Sequence, residues 1–79
     1  MVFYRRINGH NIWVTVEMPL VKDEQGKGYT NSSEYCSFFR FENAPWGECV
    51  REEGEVVWFS TPEEAADAAF IKAEERITI

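Results

Sequence analysis

Alternating apolar and polar residues divide the first part of the chain into short β-strands. The segment VFYRRI is followed by Asn8-Gly9 and then by HNIWVTVEM. Asn and Gly both tolerate positive φ, so this pair between two β-rich runs predicts a hairpin with a two-residue turn. Such a turn fixes the register of the two strands through three pairs: Ile7–His10, Phe3–Val14 and Tyr4–Trp13.

The period of two also predicts which side chains face the core. In the second strand, which Pro19 is expected to end, the core face should carry Ile12, Val14, Val16 and Met18, and the outer face Trp13, Thr15 and Glu17. In the segment YCSFFRFEN, which reads as strand three, the core face should carry Tyr35, Ser37, Phe39 and Phe41.

Residues 21–34 are polar, contain two glycines and lack an apolar period, which predicts a long loop between strands two and three. After the turn APWG, the segment ECVRE predicts a short fourth strand, Glu53-Gly54 a turn, and EVVWFS a fifth strand. In the fifth strand either Val57 and Phe59 or Val56 and Trp58 face the helix. The first pair is favoured by its closeness to the helix start, although a large ring such as that of Trp58 would also suit the core.

The helix has the clearest local signal in the chain. Thr61-Pro62-Glu63-Glu64 supplies an N-cap hydroxyl, proline at the first helical position and the glutamate of a capping box. The residues that follow at helical spacing form one apolar face: Ala66, Ala69, Phe70, Ala73 and Ile77. The final residues, ITI, either add a short strand or fray.

These elements predict an α+β fold in which one C-terminal helix packs on one face of an antiparallel sheet of four to five strands. The 79 residues suffice for one domain, residues 1–79. One helix covers one face of such a sheet, so the other face must meet water, a second subunit or a partner.

Charge is distributed unevenly along the chain. The net charge is −6, but residues 1–41 carry five basic and four acidic side chains, whereas residues 42–79 carry three basic and ten acidic ones. Such an acidic half repels nucleic-acid phosphates and attracts basic protein surfaces. The simpler interpretation is that the acids only keep a small protein soluble.

Motifs for catalysis, metals and cofactors are missing from the sequence. The single histidine, His10, adjoins a turn, and the two cysteines, Cys36 and Cys49, fall within predicted strands, where reduced structural thiols are expected. No spacing resembles a zinc or calcium site or a phosphate-binding loop. We therefore expect a protein without enzymatic activity, metal or cofactor. The lack of an apolar run or a leader predicts a cytoplasmic protein without a membrane span.

The segment PWGECVREEGEVVWFSTPEEAADAAF resembles the plant AP2-type DNA-binding domain, in which a three-stranded sheet packs on a helix. The resemblance covers about residues 38–73 and implies groove-reading roles for Arg40, Trp46, Arg51 and Trp58. Surrounding glutamates replace the basic residues of that family and would oppose phosphates. The resemblance therefore supports the architecture rather than DNA binding.

In size, charge and architecture the whole chain resembles the small acidic proteins with which phages and mobile elements block host machinery, anti-CRISPR proteins among them. Some of these imitate the phosphate array of DNA. The resemblance implies a non-catalytic inhibitor that binds a basic surface of a nucleic-acid-handling complex. The candidate contact residues are acids of two surfaces and one tryptophan anchor: Glu48, Glu52, Glu53, Glu55 and Trp46, then Glu63, Asp67 and Glu74.

Two alternatives remain open at the level of sequence. The first is a sheet-type nucleic-acid binder that uses Arg5, Arg6, Arg40 and Arg51, although direct contact with nucleic acid fits the net charge poorly. The second is a homo-oligomeric module, such as a dimer, whose open sheet face pairs with itself.

Overall fold

The computed structural model of the chain describes residues 1–77, which form eight strands and one helix. The strands are β1 (Val2–Ile7), β2 (His10–Glu17), β3 (Leu20–Lys22), β4 (Tyr29–Asn31), β5 (Cys36–Phe41), β6 (Glu48–Cys49), β7 (Arg51–Glu52) and β8 (Glu55–Val56). The helix α1 spans Pro62–Ile77. The α+β class and the C-terminal helix are confirmed, whereas the end of the predicted ITI element, residues 78–79, lies outside the described residues.

The main sheet has four antiparallel strands in the order β1-β2-β5-β6. Asn8 and Gly9 form the turn of the first hairpin with φ values of 49° and 81°, as an Asn-Gly turn requires. The predicted register is confirmed, because Ile7 pairs with His10 and Tyr4 with Trp13. β2 is therefore a central strand, paired with β1 through residues 10–15 and with β5 through residues 12–17.

The core lies between α1 and one face of this sheet. Ile12, Val14 and Val16 of β2 are buried there, together with Phe39 of β5. Met18 was predicted to extend this face, and that prediction is wrong. Because β2 ends at Glu17, Met18 follows the strand and its side chain is 40% exposed.

Small side chains bring α1 close to the sheet. Four alanines are fully or almost fully buried, and Phe70 is the largest side chain among them, filling the space between helix and strands: Ala65, Ala66, Ala69, Ala73 and Phe70. The helix begins as predicted, since the backbone N–H of Glu64 donates to the Thr61 hydroxyl at 3.2 Å.

The predicted loop over residues 21–34 is wrong in part. Its ends form a second hairpin, in which β3 pairs with β4 and every residue of both strands is exposed. We call residues 20–31 the arm. The backbone N–H of Ser32 donates to the Pro19 carbonyl at 3.0 Å, so the two ends of the arm lie side by side.

The predicted fifth strand is also corrected. Only Glu55 and Val56 pair with β7, and this two-stranded ladder is separate from the main sheet. Phe59 then forms one isolated bridge to Tyr35 through two backbone hydrogen bonds of 2.8 Å. Val50 separates β6 from β7 because its side chain turns into the core, where it is 2% exposed.

The course of the chain between β8 and α1 determines which side chains of residues 57–59 face the core. Val57 and Phe59 pack against the core, as favoured above, whereas Trp58 is 39% exposed and points away from it. The exposed ring of Trp58 lines a shallow groove beside the arm, together with Val21 and Glu34.

One buried polar group lacks a partner among the described residues. The hydroxyl of Ser37 on β5 is fully buried and makes no hydrogen bond there. A buried unpaired hydroxyl costs about 1–3 kcal/mol. Replacing Ser37 by alanine removes this cost and leaves only a small cavity.

We therefore expect Ser37→Ala to raise the free energy of unfolding by about 1 kcal/mol, which raises the Tm of a domain of this size by about 4–8 °C. Thermal unfolding followed by circular dichroism measures this shift. The exposed Ser33→Ala variant is the matched control and should leave the Tm unchanged. A lower Tm for Ser37→Ala would show that the hydroxyl is satisfied.

Candidate functional site

The outer surface of α1 combines several carboxylates with one apolar side chain. Ile71 is 58% exposed and lies off the apolar face of the helix. Acidic residues three, four, seven and eight positions away surround it on the helix surface. We call this set the acidic ridge: Glu63, Glu64, Asp67, Ile71, Glu74 and Glu75.

Two ion pairs, Arg5–Asp67 and Lys72–Glu52, connect the helix to the strands, and a third, Lys72–Glu75, lies within the helix. Arg5 of β1 donates to Asp67 at 2.9 Å, and its guanidinium lies 4.4 Å from the centre of the Phe70 ring. Lys72 lies 3.8 Å from both Glu52 and Glu75. All of these side chains remain more than one third exposed, so the contacts orient the helix more than they stabilise it.

A further ion pair connects the last turn of the helix to β6. Arg76 donates to the carboxylate of Glu48 on β6. This bond places Glu48 and Glu52 beside the C-terminal half of the helix, with Lys72 and Arg76 between the strands and the acidic ridge. Lys72 and Arg76 are therefore already engaged with acids, and the net charge of the surface stays negative.

Glu53 lies in the β7–β8 turn, and Glu55 is the first residue of β8 after it. Glu53 adopts a positive φ of 51° and Gly54 one of 84°. Arg51 donates to the carbonyl of Gly54 at 3.2 Å, which fixes this turn. Within residues 1–77 neither carboxylate has an ion-pair partner, so both are available to an external cation.

Trp46 stands apart from these acids. It lies in the turn between β5 and β6 and is 76% exposed, more than any other large apolar side chain of the described residues. The backbone of the neighbouring Gly47 lies close to β5. A Cβ atom added to this glycine would lie 3.3 Å from the carbonyl oxygen of Phe39. No ring contact or hydrogen bond of the described residues ties the Trp46 ring to the acidic ridge.

The structure thus divides the predicted contact residues into three groups. Glu63, Asp67 and Glu74 lie together on the acidic ridge. Glu48 and Glu52 join its border through ion pairs. Glu53 and Glu55 lie at the β7–β8 turn and the start of β8, and Trp46 lies in the separate turn of residues 44–47. The central residue, Ile71, was missed. The sequence pattern could have identified it, because Ile71 is an apolar residue at a position outside the apolar face of the helix.

The face of the sheet opposite α1 is lined by aromatic side chains. The rings of Tyr4 and Trp13 lie 5.2 Å apart, and the guanidinium of Arg40 lies 5.6 Å from the centre of the Trp13 ring. The Tyr4 hydroxyl donates to Asn11, whose amide donates to Glu42 at 2.7 Å. This chain of hydrogen bonds holds the exposed Tyr4 ring in place. We call this surface the open face.

The arginines expected for a nucleic-acid-binding sheet do not share a surface. Arg6 and Arg40 lie on the open face, whereas Arg5 is engaged with Asp67 and Arg51 with the Gly54 carbonyl. The residues of the AP2-like segment are likewise divided between the main sheet and the β7–β8 ladder. A single arginine-lined sheet is therefore not formed.

Burial raises the pKa of the Cys36 thiol, with smaller contributions from Cys49 and Glu17. Burial also raises the pKa of Cys49. A nucleophilic cysteine requires the opposite direction, a pKa lowered towards neutrality. Both thiols are free.

Residues 1–77 contain neither a cluster of metal ligands nor a membrane-spanning helix. No three or more His, Cys, Asp or Glu side chains converge there in a way that could hold a metal ion. In the same range, α1 lacks the length and apolar character needed to cross a bilayer. Comparisons with protein-family models, curated proteins and solved structures found no match to this chain.

The Arg5 contact generates a stability prediction. Arg5→Met keeps the apolar stem over Phe70 but removes the charge, and we expect the free energy of unfolding to fall by about 0.5–1 kcal/mol. Urea unfolding measures this change. Arg6→Met on the same strand is the matched control and should stay within about 0.5 kcal/mol of the wild type. Equal losses in both variants would contradict a specific role for Arg5.

The raised thiol pKa values generate a second prediction. In the folded protein, both cysteines should react with a thiol reagent at pH 8 more slowly than in urea, because less thiolate is present. The same shift favours folding below the ordinary cysteine pKa of about 8.5 and is lost as the pH rises through the folded values. Labelling of Cys36→Ser and Cys49→Ser variants assigns the rates. Faster reaction in the folded state would contradict the prediction.

Proposed function

We propose that this chain is a non-catalytic inhibitor that acts in the cytoplasm by binding a basic protein surface of a nucleic-acid-handling complex. The observation that carries the proposal is the acidic ridge, in which carboxylates surround the exposed Ile71 on a firmly packed helix. A surface of this kind suits a partner whose arginines and lysines flank a small apolar depression.

In such a surface, charged and apolar side chains make different contributions to binding. Carboxylates steer a basic partner towards the surface and raise the association rate. An apolar side chain at the centre of a contact loses its water on binding and supplies much of the affinity. Ile71 has this central position, with Asp67 and Glu75 one turn away on either side.

The arrangement of the carboxylates supports imitation of nucleic acid. Neighbouring acids on one face of a helix lie about 5–6 Å apart, a spacing that can engage successive basic residues of a phosphate-binding channel. The engaged Lys72 and Arg76 leave an excess of negative charge, to which Glu53 and Glu55 add a second acidic point. The resemblance to anti-CRISPR proteins points to the same kind of target.

The alternative of a nucleic-acid-binding sheet has less support. Its four expected arginines are divided between two sides of the molecule, and two of them are engaged within the chain. The acidic half of the chain would also repel phosphates.

The proposal is tested by inhibition of DNA binding. A Cascade-type DNA-surveillance complex and a basic nuclease are each bound to labelled duplex DNA, and the protein is added at micromolar concentration. We expect it to displace the DNA from at least one of them. Ile71→Ser should weaken the inhibition about tenfold, because it removes the apolar centre of the contact without touching the core.

A charge variant separates specific contact from net charge. Glu63→Gln combined with Glu74→Gln should weaken inhibition and flatten its salt dependence. Glu24→Gln combined with Glu34→Gln makes the same change of charge in or beside the arm and should inhibit like the wild type. Equal inhibition by both double variants would place the contact elsewhere, and no displacement by the wild type would refute the proposal for these targets.

A further inference from the structure

The open face has a shallow apolar groove at its centre. Trp13, Phe38, Val2, Thr15 and Gly47 line it together with the charged residues Glu17 and Arg40, and its volume is about 430 Å³. Antiparallel sheets that face water normally carry polar residues on the solvated side. Two half-buried aromatic rings at the centre of this face therefore indicate a surface that is covered by another molecule.

The charges of this face are arranged about the groove. Val2, Thr15 and Phe38 form one row across the strands, since Val2 pairs with Thr15 and Thr15 with Phe38. Arg40 lies two residues from Phe38 on β5, and Glu17 lies two residues from Thr15 on β2, in the opposite direction along the sheet. The two charges are therefore on opposite sides of the row.

Arg40 and Glu17 do not meet within one chain. Trp13 pairs with Arg40, and Glu17 is four residues further along β2, which separates the two charges by about 14 Å along the strands. Within residues 1–77, neither side chain forms an ion pair. Within this range, each is thus a charge without an ion-pair partner beside the apolar row of Val2 and Phe38.

We propose that the open face binds the open face of a second copy of this chain in a two-fold symmetric dimer. A surface that pairs with itself must be self-complementary, so a positive group and a negative group have to lie on opposite sides of the axis. A two-fold axis that passes between Thr15 and Phe38, inclined to the direction of their row, meets this condition. It places Arg40 over Glu17 of the second copy and, by symmetry, Glu17 over Arg40.

The geometry of packed sheets agrees with this arrangement. Phe38 lies beside the axis, so its ring meets the Phe38 ring of the second copy. Facing sheets are about 10 Å apart, a gap that an arginine and a glutamate side chain together can span. When Arg40 of each copy meets Glu17 of the other, the strands of one sheet cross those of the other at roughly 40°. This is close to the angle of about 30° between the sheets of aligned sandwiches.

Long-range charge does not oppose this dimer. Each copy has a net charge of −6, but the helices lie on the outer sides of the two sheets. One layer of about 10 Å between the sheets and a further layer of about 10 Å to each helix place the two acidic ridges about 30 Å apart. This exceeds three Debye lengths of about 8 Å at physiological ionic strength, so the ridges hardly repel each other.

The available area suits a reversible association. The strands β1, β2, β5 and β6 have six, eight, six and two residues. At about 4.8 Å between strands and about 3.4 Å per residue they give a face of about 360 Å², or roughly 700 Å² for both copies. This is below the standard range of specific interfaces, so the association is weak and reversible. We therefore expect a dissociation constant in the high micromolar range.

Molar mass measured by light scattering and sedimentation over a range of protein concentrations tests the proposal. The wild type should shift from monomer to dimer with rising concentration. Arg40→Glu and Glu17→Arg should each weaken the dimer about tenfold or more, because each places like charges opposite one another. The double variant restores opposite charges with the original net charge, and it should dimerise like the wild type.

The control is Lys27→Glu on the arm, which makes the same change of charge as Arg40→Glu and should leave dimerisation intact. Circular dichroism verifies that each variant is folded. A wild type that stays monomeric at high concentration, or a dimer that the double variant fails to restore, would overturn the proposal. The inference does not rest on the proposed function, since variants of the acidic ridge change inhibition and should leave the molar mass unchanged.

Discussion

The whole molecule depends on the close packing of one alanine-rich helix against the centre of a four-stranded sheet. Ala65, Ala69 and Ala73 are fully buried, so the helix backbone approaches β2 and β5 closely, and Phe70 fills the remaining space. Bulkier residues at these positions would lift the helix and expose Val14 and Ile12. Replacing buried alanines by larger side chains in a filled core commonly costs about 1–3 kcal/mol each.

This single contact also determines where the two surfaces lie. Since α1 covers one face only, the alternating side chains of β2 are divided between a core face and the open face. The helix in turn has one side left for solvent, and its acids and Ile71 occupy that side. The acidic ridge and the open face are therefore on opposite sides of the molecule, and a chain bound through one of them leaves the other accessible.

Strong local signals made much of this fold predictable. The Asn8-Gly9 turn fixed a register of six residue pairs, and Thr61-Pro62 fixed the start of the helix. The arm was missed because β3 and β4 are three residues each and carry no alternation of burial. The fifth strand was placed wrongly because the bridge between Tyr35 and Phe59 depends on tertiary packing, which no local pattern encodes.

The candidate site was predictable in composition but not in arrangement. The excess of acids after residue 42 is visible in the sequence, and the helical period places Glu63, Asp67 and Glu74 on one side. The ion pairs of Arg5 and Arg76 join residues 62 and 28 positions apart, and such separations cannot be inferred from spacing. These ion pairs neutralise part of the charge of Asp67 and Glu48, so they determine how negative charge is distributed over the surface.

The arm has a consequence for how the sequence can vary. Its two ends are held together by the hydrogen bond between Ser32 and Pro19, and its strands pair with each other rather than with the main sheet. Lengthening, shortening or replacing it changes loop-closure entropy by only a fraction of a kcal/mol for each doubling of length. The arm is thus a permissive insertion point, where new segments can be displayed without disturbing the packed helix and sheet.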